Sequence, residues 1–495
     1  MEIDLRLESS LWVGKKRYKA VLTGWHFQWT EVDKNNREKK TTSVPVSELI
    51  GLEKGQVEIL PRKSVEDTDK DFTVFYVKRS SSGGSYGLLW QFGRIQFSCA
   101  SRALRDQWTS HLRAALKTHS PSRPHRLLVF INPYGGKKKG RHIYHSLVAP
   151  LFELAGITSH VIVTERANQA RDHLLKKDLS GFDGVVCVGG DGMFSEIMHG
   201  MIGRTQQEAG LSENDLNVTL QPCHLHIGII PAGSTDCVCF ATVGVNDPVT
   251  SALHIIIGDS QPLDVCSAHH PTEPVRYSVS LLGYGFYGDV LAESERHRWM
   301  GPLRYDFSGA MVYLSSRSYA GVVHYLPRLF MEVRVRISQC KGYHSSVQLS
   351  GWVSVAGRFR CVSFTCMSSS CPRSPLGLSP SAHLADGTGD LILVRESHPL
   401  GFLKFLHRHT SSEDQVGVHR VKAFRFSLPP GEEEDSLEDM ESEGGKGARG
   451  KRKHKRVHMS GWTVRPRAGQ RSEHGSRQLV HLYARGIEDK AACVG

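Results

Sequence analysis

Hydrophobic and polar positions change rhythm three times along the chain. Between Leu11 and Trp29 the apolar residues of YKAVL and WHFQW alternate with polar ones, and Asp33-Lys34-Asn35-Asn36 supplies turn chemistry, which predicts two strands and a hairpin. Further strands are expected from Phe72 to Val77 and from Trp90 to Cys99. The period then lengthens: Leu104, Trp108 and Leu112, with Ala115 and Leu116, form the stripe of one amphipathic helix closing a small β domain. Ser120-Pro-Ser-Arg-Pro124 breaks that pattern as a linker would.

From Arg126 the pattern becomes strand, glycine loop, helix, repeated. LLVFI leads to NPYGGKKKG and a helical stripe of Ile143, Leu147, Leu151 and Leu154. HVIV leads to a helix through Ala170 and Leu174, GVVCV to GGDG, and HIGII to PAGST. Alternating strands and helices imply a Rossmann-like parallel α/β lobe whose ligands bind at the carboxyl ends of the strands. Beyond Gln261 strands dominate again, with YSVSLLGYGF, MEVRVRI, DLILV and FRFSL as candidates for a β-rich second lobe. The expected fold class is therefore α/β plus all-β.

Composition narrows this picture in a few places. With 495 residues, 39% hydrophobic and 23% charged, the chain is too long for a single small module. Its 62 basic and 50 acidic residues leave a net charge of +12, which favours an anionic surface, nucleotide or nucleic acid as partner. No basic leader precedes an apolar stretch, no run approaches the length of a membrane span, and Glu2 stands where myristoylation needs glycine. A cytoplasmic protein is expected, with any membrane contact made by a folded surface. The eleven cysteines are then expected to be reduced, and the spacing of Cys361, Cys366 and Cys371 is unlike that of a zinc ribbon. His269-His270, beside prolines, reads as a surface turn. Glu432 to Glu443 holds eight acidic residues and Lys446 to Arg456 seven lysines and arginines, a charged stretch expected to stay disordered.

The chemistry concentrates in four glycine-bearing loops. In Asn132-Pro133-Tyr134-Gly135-Gly136 the paired glycines let backbone amides approach an anion, while Lys137, Lys138 and Lys139 add charge. Gly189-Gly190-Asp191-Gly192 leaves little bulk around one carboxylate at the head of a helix, with Glu196 about one turn on. Gly233, Ser234 and Thr235 precede another helix, and Asp289 ends a second glycine-rich run. Arg298 and Arg304 flank a bend at Gly301-Pro302 and suit transferring phosphoryl oxygens. Taken singly, each has a plainer reading: a tight turn, a helix cap or a solvated arginine. No Walker A loop, nucleophile elbow or His-Glu-x-x-His zinc motif competes.

In this order NPYGG, VGGDGMFSE, PAGSTD and LLGYGFYGD followed by YDFSG resemble the lipid kinases of the diacylglycerol and sphingosine kinase type. TERANQA, GIIPAGSTDCVC and SPSAHLADG resemble the ceramide kinases among them. The resemblance covers roughly Leu11 to Ser315, resumes from Cys371 to about Leu428 and returns at HLYARGIED. It implies transfer of the γ-phosphate of ATP to the primary hydroxyl of ceramide. Sphingosine or diacylglycerol are the alternative substrates, and a catalytically weak membrane-binding variant is the alternative of another class.

Carried over residue by residue, Asp191 would be the general base, and with Gly189, Gly190, Gly192 and Asp289 it would bind the lipid. Asn132, Pro133, Tyr134, Gly135, Gly136, Thr164, Glu165, Arg166, Ala167, Asn168, Glu196, Gly233, Ser234, Thr235, Arg298 and Arg304 would bind the nucleotide. Asp386, with Gly387, would belong to a Mg2+ network. The resemblance also implies a pleckstrin-homology domain with Trp108 in its core and Lys15 to Lys19 as phosphoinositide contacts. Regulation by Ca2+ and calmodulin is implied too, and Leu400, Leu403, Phe405 and Leu406 with Lys404, His407 and Arg408 form a basic amphipathic stretch, for which a buried strand or core helix is the competing reading. The implied location is a Golgi or plasma membrane surface, without nucleic acid.

The expected units are residues 1–119 (membrane-targeting domain), 120–260 (α/β lobe), 261–430 (second lobe), 431–475 (charged linker) and 476–495, returning to the second lobe. Two departures stand out. The stretch from Ser316 to Thr365 is short and lacks a tight cysteine cluster, and RSEHGSRQLV stands where a late Asp-Gly-Glu is usual.

Overall fold

The structure is a computed structural model describing residues 6–55, 68–79, 88–215, 218–270, 273–301, 303–328, 345–347, 351–372, 374–379, 382–408, 416–427, 463–472 and 475–484. Its first layer is a seven-stranded antiparallel sheet. Leu7–Val13, Lys16–Leu22, His26–Val32 and Glu38–Pro45 form a meander, and Trp90–Ser98, Asp71–Arg79 and Leu49–Lys54 extend it from the other side of the first strand. Three strands more than the four expected appear here, Leu7–Val13, Glu38–Pro45 and Leu49–Lys54; the first is separate because Gly14, at φ +59°, turns the chain between Leu7–Val13 and Lys16–Leu22. The helix Arg102–His119 starts at Ser101, whose hydroxyl accepts from the Leu104 N–H at 3.2 Å. It buries Trp108, Leu112 and Ala115 against the sheet, and the Trp108 indole N–H donates to Ser9 Oγ at 2.8 Å.

The second layer is a six-stranded sheet in the order Ser260–Leu263, Val480–Tyr483, His226–Pro231, Gly184–Gly189, Arg126–Ile131, Thr158–Val163. All its pairings are parallel except the one between Ser260–Leu263 and Val480–Tyr483. This corrects one expectation. The C-terminal segment was assigned to the second lobe, yet its strand enters the α/β sheet between two strands more than two hundred residues earlier. Four residues, VHLY, are too few to carry a period, and only this non-local pairing decides their place.

The helical stripe after the first glycine loop is also altered. A π-helical turn at Tyr144–Val148 interrupts the helix and shifts its phase, so that Leu147 faces solvent while Tyr144, Val148, Leu151 and Phe152 are buried.

The third layer is a ten-stranded sheet with antiparallel pairings, organised around the long strand Val353–Thr365, which pairs with Tyr319–Pro327, Leu281–Gly285 and Gly389–Arg395. YSVSLLGYGF divides into two strands, Arg276–Ser278 and Leu281–Gly285. The expected charged linker is shortened as well, because Thr463–Ser472 is a strand paired with Val265–His269. His269 ends that partner strand and is buried, its Nε2 2.8 Å from Ser267 Oγ, where a surface turn was expected. MEVRVRI and the charged blocks between 431 and 462 lie outside the described residues.

The N-terminal sheet and the α/β lobe share a core. Ile50, Phe75, Val77 and Trp90 pack in one cluster with Leu127, Val129 and Leu253. The Trp90 ring stacks on His254 at 3.9 Å, and its backbone N–H donates to Thr250 Oγ1 at 3.1 Å. The buried Arg123 guanidinium, its pKa pushed down to about 10 by burial, donates to the carbonyls of Leu49 (2.6 Å) and Ile50 (3.0 Å). Since these hydrogen bonds and ring contacts cross the junction, the two layers are expected to unfold together. Trp90→Ala should cost about 3–5 kcal/mol in urea or thermal unfolding while keeping a single transition. A separate early transition of the N-terminal domain in the wild type would contradict this.

Candidate active site

Three glycine loops meet at the carboxyl edge of the parallel sheet, and they meet backbone to backbone. A Cβ on Gly136, which has φ +52°, would fall 2.4 Å from the Gly233 carbonyl oxygen, and one on Gly233 would fall 2.5 Å from Gly190 Cα. No side chain fits at either position, so the loops leave a cleft floored by main chain. Asn132 shapes the first loop, its Oδ1 accepting from the N–H of Tyr134 (2.9 Å) and Gly135 (3.1 Å).

The cleft encloses about 620 Å³. Among the residues predicted from sequence, Asn132, Tyr134, Gly135, Gly136, Thr164, Glu165, Arg166, Ala167, Gly190, Asp191, Gly192, Glu196, Gly233, Ser234, Thr235 and Arg304 line it. Pro133, Asn168 and Gly189 stand beside lining residues without lining it. Asn168, in the left-handed region at φ +61°, starts the helix Gln169–Lys176. Arg298 lies in the turn Arg298–Met300, and its side chain lies outside the described ones. Arg304 enters from the helix Leu303–Ser315, donating to Tyr305 Oη at 2.7 Å and lying 3.6 Å from Glu295.

Asp191 opens the helix Asp191–Glu208 and reaches to the next loop. Its Oδ1 accepts from the Val238 N–H at 2.9 Å and its Oδ2 from the Cys237 N–H at 3.1 Å. Burial raises its pKa, and these two N–H groups pull it back. Glu196 is also raised by burial, against hydrogen bonds from the backbone of Asn168 and Ala170, and its Oε2 is buried without a hydrogen-bond partner. Two neighbouring carboxylates, one with an orphaned oxygen, open onto a cleft rich in hydroxyls and main-chain groups. Such a donor set fits a hard divalent cation that is also bound by phosphate oxygens.

Asp236, which sequence reasoning missed, completes the cluster. It is buried, sits at φ +53°, and accepts from the Gly233 N–H through Oδ1 (3.0 Å) and Oδ2 (3.2 Å). Burial and the neighbouring Asp191 charge push its pKa up to about 7. An acidic residue at the head of a helix looks like an ordinary cap, and nothing local in PAGSTD shows that it turns back onto Gly233. Cys237, the next residue, hydrogen-bonds Cys371 from the second lobe, and this contact, with burial, raises its pKa.

Two predicted residues are not brought to the cleft. Asp289, on the helix Phe286–Arg296, lines a separate small pocket with Tyr313, Arg360 and Phe402 and accepts a hydrogen bond from the Tyr319 hydroxyl. Asp386 is held by two guanidiniums, Arg328 at 2.8 Å and Arg420 at 2.6 Å, and its Oδ1 accepts from Thr388. Two cations on one carboxylate disfavour a third, so Asp386 reads as a structural clamp and not as a metal ligand.

Family models match nearly all of this frame: "Ceramide kinase PH domain" at residues 7–112, "Diacylglycerol kinase catalytic domain" at 126–268 and "Ceramide kinase C-terminal domain" at 280–458. The protein is 42% identical to a "Ceramide kinase" of Homo sapiens, covering 98% of this chain and 97% of that protein. It is also 42% identical to a "Ceramide kinase" of Mus musculus, covering 98% of each. The chain belongs to the ceramide kinase family. "Ceramide kinase 1" of Caenorhabditis elegans is 31% identical, covering 72% of this chain and 65% of that protein. The seven-stranded sheet with its closing helix is thus the family's pleckstrin-homology domain, and the cleft belongs to an ATP-using lipid kinase.

The raised Asp236 pKa has a consequence for stability. A carboxyl whose folded pKa lies above its ordinary 3.8 contributes stability that is complete below 3.8 and lost as pH rises through about 7. Asp236→Asn keeps an acceptor for Gly233 without the charge. Its melting temperature, compared with that of the wild type, should gain steadily from acid to neutral pH. A difference independent of pH would show that Asp236 is not held neutral.

Proposed function

We propose that this protein transfers the γ-phosphate of ATP to the primary hydroxyl of ceramide, giving ceramide 1-phosphate. The observation that carries the reading is Asp191. It is a carboxylate of raised basicity set where three main-chain loops form one cleft, in a chain of this family. Asp191 takes the hydroxyl proton as the lipid oxygen bonds to the γ-phosphorus. The bond from phosphorus to the β-phosphate bridging oxygen breaks, ADP leaves, and Asp191 then releases its proton to water. The main-chain amides of Gly136, Ser234 and Thr235 and the Arg304 guanidinium receive the phosphate oxygens, and burial keeps competing water away.

Mg2+ is the expected companion of the nucleotide, and Glu196, whose buried Oε2 makes no hydrogen bond, would hold it beside the phosphates. When bound, such an ion neutralises phosphate charge. Asp289 would orient the lipid head group from its own pocket, with its carboxylate fixed by Tyr319.

The N-terminal domain would bring the enzyme to phosphoinositide-bearing cytoplasmic faces of Golgi or plasma membrane. In the Lys15 to Lys19 segment, Lys16 pairs with Glu31 at 2.9 Å, Lys19 with Glu8 at 3.3 Å, and Arg17 donates to the Asn36 side chain, so that Lys15, exposed beside the Gly14 turn, would be the cation for a headgroup. Calmodulin would take the stretch around Leu400 in the presence of Ca2+. That stretch is the helix Pro399–Arg408, whose Phe402 and Phe405 are buried, so a calmodulin complex requires the helix to leave the lobe.

Turnover of ceramide by magnesium-ATP in mixed micelles, beside sphingosine and diacylglycerol, tests the reading. Ceramide is expected as the preferred substrate. Asp191→Asn should lower turnover about 10²–10⁴-fold with an unchanged circular dichroism spectrum. A variant keeping most of its activity would remove the assigned base, and preference for another lipid would remove the substrate. Ordinary folding and nucleotide binding without turnover on any of the three would favour the membrane-binding reading.

A further inference from the structure

Three of the four cations between residues 137 and 141 follow the first glycine loop directly, yet Lys137, Lys138 and Lys139 do not line the cleft. They are exposed, as is Arg141, and among the described residues none of the four is paired with a carboxylate. The loop that bears them does line the cleft, through Tyr134, Gly135 and Gly136. A phosphate bound inside therefore meets main chain, while the lysines project a concentrated positive charge at its border.

The second lobe borders the same cleft with a different surface. The helix Leu303–Ser315 sends Arg304 and Tyr305 to the lining, while Leu303, Phe307, Met311 and Leu314 follow one another at helical spacing on a face open to solvent. Leu303 is 63% and Leu314 77% exposed, and Trp299 in the preceding turn is 82% exposed. Apolar side chains in this array are unfavourable in water unless something covers them. The helix has 13 residues, too few to span a bilayer but sufficient to lie in an interface.

We propose that the rim of the catalytic cleft is itself a membrane-docking surface for an anionic bilayer, separate from the N-terminal domain. This rests on the lipid-kinase reading. The acceptor hydroxyl lies at the level of the headgroups, so the cleft has to meet the bilayer at its mouth. Cations at the border of the opening match the negative leaflet, and the exposed stripe and Trp299 match the layer beneath the headgroups. Two weak signals on elements that border one cleft give stable and reversible attachment where one gives only marginal binding. The mixed chemistry favours a charged lipid surface over a protein partner, for which the lysine turn would need an acidic patch beside an apolar one.

The test uses the full chain with vesicles of phosphatidylcholine, with and without phosphatidylserine and free of phosphoinositide, so that the N-terminal domain lacks its expected ligand. Two double variants are compared with the wild type, Lys138→Gln with Lys139→Gln and Phe307→Gln with Leu314→Gln. The lysine pair should weaken sedimentation with anionic vesicles about tenfold and remove most of its salt dependence. The apolar pair should weaken binding about tenfold on both kinds of vesicle. Both should slow phosphorylation of long-chain ceramide in vesicles and leave turnover of a water-soluble short-chain ceramide at the wild-type value.

Unchanged vesicle binding in both variants overturns the proposal. So does a parallel loss on the short-chain substrate, which would place these residues in the site or the fold, or a change of oligomeric mass in the apolar variant, which would mark a protein interface. Vesicle binding is read without turnover, so a wild-type protein inactive on short-chain ceramide would refute the kinase reading and leave the docking result standing on its own.

Discussion

The catalytic half of this protein depends on one steric constraint: Gly136, Gly190 and Gly233 stack main chain against main chain at the carboxyl edge of the parallel sheet. A single β-carbon at Gly136 or Gly233 would push the loops apart by more than the cleft can absorb. Because the loops touch, their N–H groups converge, and because they converge, a carboxylate on one can be held by the amides of another. Asp191 is held in this way by the N–H groups of Cys237 and Val238, while Asp236 is held within its own loop by that of Gly233. The electrostatics of the site follow from this closeness, since burial raises both carboxyl pKa values, the Asp191 charge raises that of Asp236 further, and the amides partly restore them.

A second constraint joins the lobes. The last described strand of the chain, Val480–Tyr483, completes the α/β sheet, while the strand Thr463–Ser472 just before it belongs to the β-rich sheet. The chain thus crosses between lobes close to its end, and the Cys237–Cys371 contact crosses at the site itself. The pleckstrin-homology domain is likewise continuous with the catalytic core through Trp90, His254 and Arg123. The two are therefore joined by packed side chains and not by a slack tether.

Where a residue's role depended on its immediate neighbours, the sequence was a good guide. The loops NPYGG, GGDG and PAGST lie at the ends of strands because apolar runs of five or six residues followed by glycine and a helical stripe leave few other folds. Most of the nucleotide-site residues read from those loops line one cleft. The sequence did not show that Asp289 and Asp386 lie apart from that cleft: motif order along the chain does not say which carboxylate a guanidinium or a tyrosine hydroxyl claims in three dimensions. It also missed Asp236, whose function depends on a turn back onto Gly233, and it misplaced Leu147, because a π-helical turn shifts the phase of a stripe without leaving a local mark.

The sequence by itself determined the class of each layer and where the glycine loops stand at the strand ends, since periodicity, glycine content and charge act over a few residues. Only the tertiary structure decided that the C-terminal strand joins the first lobe, that the N-terminal sheet shares the catalytic core, and that the lysine turn stays outside the lining of the cavity it borders. Those outcomes depend on which distant surfaces exclude water together. That free energy belongs to the assembled layers and to no single segment.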